Sequence, residues 1–170
     1  MFKRVAVPLA LLLAVACTKS EEPASQTQNP TPVSHPSNDE IPVDMPSVVF
    51  TTPSGQSASV YVEVVSKPAE VQKGLMFRQR MPWNRGMLFL FDREEQQSFW
   101  MKNTLISLDM IFVRSDLSVL GVVHDATPKT LTSRRVEGAS QFVVETNAGW
   151  AKKHGIVPGT KVEFVGVALP

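Results

Sequence analysis

Large apolar residues are unevenly spread along the chain. An apolar run from Val5 to Val15, with Pro8 inside it, is followed by a stretch at 18–47 that nearly lacks them. From Val48 onward they return in short alternating or unbroken runs. Val48-Val49-Phe50-Thr51-Thr52 reads as a strand and Pro53-Ser54-Gly55 as a turn. Ser59 to Val65 alternates its faces and predicts an antiparallel partner. The period then changes: Ser66-Lys67-Pro68-Ala69-Glu70 predicts a helix start, with Ser66 as cap and Pro68 in the first turn, and Val71 and Leu75 on one face. Gly86 to Phe91 is unbroken apolar sequence, which predicts a strand buried on both faces. Asp92 to Gln97 reads as a charged turn. Further strands are predicted at Ser98–Met101, Asp109–Val113, Ser118–His124, Gln141–Thr146 and Thr160–Val167, with a polar loop at 125–140. Ala148 to His154 predicts a two-turn helix stopped by Gly155. Short strands at this spacing predict a mainly β domain over 48–170, a small antiparallel sandwich or barrel-like fold with one or two short helices.

The two segments before that domain read differently. Lys3 and Arg4 precede an apolar run too short to span a bilayer, the pattern of a secretory signal over residues 1–16. It ends in Ala14-Val15-Ala16-Cys17, which resembles a bacterial lipobox. The resemblance implies lipidation at Cys17 and a bilayer as partner. Thr18, in place of an aspartate, implies outer-membrane sorting. Residues 18–47 hold Pro23, Pro30, Pro32, Pro36, Pro42 and Pro46, with one lysine against five carboxylates. No core can form there, so 17–47 is expected to be a lipidated cysteine and disordered tether. It would average about 30 Å end to end and stretch to about 100 Å.

Composition removes several classes of function. The 170 residues carry a net charge of +1 and a single cysteine. One cysteine allows no internal disulfide, zinc finger or CxxC redox motif. The near-neutral balance argues against a nucleic-acid binder that works by bulk charge. GxGxxG, P-loop, HExxH and GxSxG motifs are missing, and no cofactor is implied. His124 and His154 are isolated, so no metal site is expected. Met76, Met87, Met101 and Met110 lie in apolar runs and read as core filler rather than as thioether ligands; Met81 alone lies outside one. Trp100 and Trp150 read as packing anchors, and Trp83, in a turn, as the exposed aromatic.

The distinctive chemistry is concentrated after strand ends. Trp100, Lys102, Asn103 and Thr104 fall within five residues, combining a cation, an amide and a hydroxyl where a rigid frame could present them to a ligand. Arg78 ends an apolar run, and a partly buried arginine needs a carboxylate or a ligand anion; Asp109 and Glu145, each beside or within an apolar strand, are the partner candidates. Three readings stand open. Arg78, Lys102, Asn103, Thr104, Asp109 and Glu145 could form a pocket for a small polar or anionic ligand or an envelope component. Asp109 or Glu145 could act as general base with Lys102 stabilising negative charge, in a hydrolase or lyase. The same residues could serve only the fold of an interaction domain.

GLMFR at 74–78, GMLFLF at 86–91, FWMKNT at 99–104 with Leu108-Asp109, then VVETNAG at 143–149 and a closing GI-x-PG-x-KV resemble the domain-of-unknown-function 192 family over most of 60–167. The resemblance implies a compact, mainly β domain, often exported, and implies no activity. It carries over Gly74, Arg78, Gly86, Trp100, Lys102, Asn103, Thr104, Asp109, Glu145 and Gly149 as motif positions. Ser107 stands where family members often have proline, which implies a less rigid loop.

Overall fold

The computed structural model describes residues 44–169. The signal, the lipidated Cys17 and most of the tether expected from the sequence lie outside the described residues. Seven strands form one sheet: β1 (Ser47–Thr51), β2 (Ser57–Val65), β3 (Arg85–Glu95), β4 (Leu108–Val113), β5 (Val119–Ala126), β6 (Ser140–Asn147) and β7 (Lys161–Val165). Two short helices join them, α1 (Pro68–Lys73) and α2 (Trp150–Lys153). The spatial order is β5-β4-β6-β3-β2-β1-β7. All neighbours are antiparallel except β2 and β3, which run parallel because α1 carries the chain across between them. The sheet curls until its edges meet: Val119 N–H donates to the Thr160 carbonyl (2.8 Å) and Val162 N–H to the Leu117 carbonyl (2.9 Å). This mainly β, barrel-like architecture is the one the strand spacing predicts.

The curl creates two apolar layers, because side chains alternate across each strand. Val48, Phe50, Val60, Leu88, Ile111 and Val144 fill the concave interior, capped by Trp150 and Ile156. Met87, Phe89, Met110, Phe112 and Val143 face the other way. A curled sheet would leave that second face wet. Here it is covered by two irregular segments that follow α1 and β3, which contribute Leu75, Met81 and Met101. Met81, Met87, Met101 and Met110 thus pack as filler, whereas Met76, read as filler from the sequence, is only half-buried. β4 is consequently buried at every position.

Local differences from the sequence expectation have physical causes. Ser66 does not cap α1; Lys67 holds the cap position without a side-chain bond, and Pro68 opens the helix. The charged stretch after Phe91 stays in β3 through Glu95, because a register shift lets Glu95 pair with Ser140. Ser98–Met101 is extended but joins no strand of the sheet. It pairs instead with the polar loop, through reciprocal Phe99–Arg134 backbone bonds (2.9 and 2.7 Å) and Met101 N–H to the Thr130 carbonyl (3.0 Å). The second helix is a single turn, entered through Gly149 at φ 83°. Among the described residues no helix is long and apolar enough to cross a membrane.

Candidate functional site

The covered outer face is not fully packed. Between α1, the segment after it, β3 and the 97–104 segment lies an open cavity of about 370 Å³, within the range of small-molecule sites. Phe89, Phe91, Phe99 and Trp100 supply aromatic walls. Phe99 is their hub, edge-on to Phe89 at 5.0 Å and to Phe112 at 6.1 Å. Ser98 and Ser133 hydroxyls share a hydrogen bond of 2.8 Å beside it. Trp100 is 44% exposed, not the packing anchor its apolar flanks suggest. Its neighbours Phe99 and Met101 pair with the loop, and its ring stands at the mouth, with Lys102 Nζ 5.4 Å from the ring centre.

Glu145 lies in the lining of this cavity. It sits on β6 opposite Met87 of β3 and Met110 of β4. That register places a carboxyl in an otherwise apolar layer. It is buried, and no hydrogen bond or ion pair among the described residues reaches it. Burial alone pushes its pKa up to about 8, so the group is a neutral acid at pH 7. Gln97 shares the lining, and its buried Nε2 also has no partner. Thr104 is the third buried polar side chain of the lining; its hydroxyl makes one long bond of 3.4 Å to the Lys102 carbonyl. Gly86 keeps this strand pair close: a Cβ there would stand 2.4 Å from the Glu145 carbonyl oxygen.

The six residues singled out from the sequence are therefore not one cluster. Glu145 and Thr104 line the cavity. Lys102 and Asn103 line a shallower groove that adjoins it through Gln72, Lys73, Met76 and Trp100. Arg78 turns away, and its partner is neither Asp109 nor Glu145 but Glu63. Two parallel bonds of 2.5 Å join them. Glu63 is on β2 beside Met87, where the segment after α1 crosses back. The hydrogen bond from Arg78 holds the Glu63 carboxyl below the usual range. Asp109 is committed to the backbone: Asp125 N–H donates to its Oδ1 (3.0 Å) and Ala151 N–H, in the first turn of α2, to its Oδ2 (2.9 Å). Gln97 carried no sequence signal, since it closes a charged stretch that reads as a turn. No group of three or more His, Cys, Asp or Glu able to hold a metal occurs among the described residues.

Fold and cavity define a class: a small curled β domain with an unpaired acid buried in an aromatic cavity on its outer face. The chain belongs to the DUF192 family, "Uncharacterized ACR", whose model matches residues 49–164. It is similar to a solved protein from Sinorhizobium meliloti 1021, provisionally described as a transcription regulator. The two are 33% identical, with a TM-score of 0.69, and the match covers 75% of this chain and 99% of that one. It is also similar to a protein of unknown function from Novosphingobium aromaticivorans DSM 12444, 39% identical with a TM-score of 0.66, over 69% of this chain and 83% of the other. No curated protein matches.

Proposed function

We propose that the domain is a binding module for a small ligand with an apolar or aromatic body and a polar head, taken up in the cavity over Glu145. The observation that carries this reading is a buried carboxyl without a partner at an open cavity. A ligand head that hydrogen-bonds it supplies a partner that the protein itself does not. The unpartnered Gln97 amide and the Thr104 hydroxyl supply further polar contacts, and the aromatic walls supply apolar area. The signal-like residues 1–16 and the lipobox-like sequence at Cys17 favour display at the cell envelope, on the outer membrane.

An envelope hydrolase or lyase would draw on the same residue, since a carboxyl with a pKa near neutrality suits general acid catalysis. The cavity lining contains no second carboxylate, and Lys102 lies outside it. Both facts favour binding over catalysis.

The test is a thermal-shift panel of envelope sugars, nucleotides, amines and carboxylic acids. It is run on the wild type, on Glu145→Leu, which keeps the volume and removes the polar head, and on Thr104→Val. A compound that raises the wild-type melting point and leaves Glu145→Leu unmoved supports the reading. A shift retained in full by Glu145→Leu, or no shift from any compound, contradicts it.

A further inference from the structure

Beside the cavity mouth lies a second feature, which shares Trp100 and Leu131 with the cavity lining but needs no ligand there. Phe77 is 64% exposed and Leu131 68%, and with Trp100 and Leu105 they border two adjoining shallow grooves. Lone exposed apolar residues are ordinary; four on one face are not. Their backbone is held in place. Of the five non-glycine residues with positive φ among the described residues, three are here: Phe77 (66°), Asn103 (55°) and Lys129 (57°). The three turns are knitted together by Phe77 N–H to the Asn103 carbonyl (2.9 Å) and Lys129 N–H to the Thr104 carbonyl (3.1 Å). Strain of this kind persists where surrounding bonds enforce it, and it clusters at working surfaces. The charge on the grooves has one sign: Lys73, Lys102 and Lys129 line them, and no carboxylate does.

We propose that this face seats on an anionic lipid bilayer, with Phe77, Trp100, Leu105 and Leu131 in the headgroup region and the three lysines against lipid phosphates. Apolar tips ringed by lysines are the chemistry of an interfacial membrane surface, and lysine stems reach the phosphates while their carbons stay among lipid. Protein–protein interfaces are depleted in lysine relative to the rest of the surface, and three lysines line these grooves. Seated this way, the cavity would open beside the membrane.

The test uses the full chain with vesicles of phosphatidylcholine and phosphatidylglycerol whose acyl chains carry bromine, which quenches tryptophan on contact. Quenching is expected, with Trp100 as its source: it disappears in Trp100→Phe and persists in Trp83→Phe. High salt weakens it, pure phosphatidylcholine vesicles weaken it, and the Phe77→Ser/Leu131→Ser double variant, altered only at exposed positions, weakens it severalfold. Quenching that Trp100→Phe does not change overturns the proposal. So does quenching equal on neutral vesicles, and so does its absence, which would leave the face to a protein partner.

Discussion

Strands β4 and β6 each carry a buried carboxyl, and the two are one register step apart. Asp109 pairs across the ladder with Thr146, and Glu145 with Met110. Alternation sends them to opposite sides of the sheet. On one side Asp109 meets two backbone N–H groups and joins the end of β5 to the start of α2, a contact that helps close the curl. On the other side Glu145 meets methionines and an open cavity. Burial is common to both, so burial does not mark a site. What separates them is the supply of partners: a carboxyl satisfied by its own backbone holds a fold, and one left unsatisfied beside a cavity is available to something else.

That contrast can be broken from either side. The largest effect is expected from Asp109→Ala, which strips one buried and one part-buried N–H group of their acceptor; unfolding in urea should show a loss of about 3 kcal/mol or more. Glu145→Leu should cost far less, and a comparable loss there would erase the distinction. Next comes pH. The folded pKa of Glu145 is raised, so the folded state holds its proton more tightly than the unfolded chain. The stability it contributes is complete below the unfolded value of 4.5 and is lost as pH rises to about 8. Denaturation across that window should show a downward slope of up to about 1.4 kcal/mol per pH unit, reduced in Glu145→Gln. An identical slope in Glu145→Gln would place the titration elsewhere. The smallest effect is expected at the Arg78–Glu63 pair, whose side chains are 34% and 46% exposed. Arg78→Ala should cost about 1 kcal/mol or less, because solvent screens the pair. A loss as large as that of Asp109→Ala would make Arg78 part of the supporting core.

Much of the fold is legible in local pattern. The alternation of β2 and the unbroken run in β3 report how many of their faces are covered. Of the FWMKNT stretch, Phe99, Trp100 and Thr104 line the cavity, while Lys102 and Asn103 line the groove beside it. The pairings were hidden because they depend on register between distant segments. Arg78 meets Glu63 only because α1 makes a parallel crossover, which places β2 beneath the segment that follows the helix. Ser98–Met101 has the composition of a sheet strand, yet its partner is a polar loop with no strand signature. Asp109 and Glu145 look alike in sequence, each within apolar residues. Only the ladder offset of one residue assigns them to different faces, and only the loops above decide which is satisfied.

The most direct measurement is titration of the Glu145 side-chain carboxyl by carbon-13 NMR in the intact chain. The absence of a partner predicts a midpoint near 8, with the neutral acid present at pH 7. A midpoint between about 4 and 5, the ordinary carboxylate range, would mean that the group is hydrated or paired. That result would contradict the account of Glu145 as the open polar anchor of the cavity.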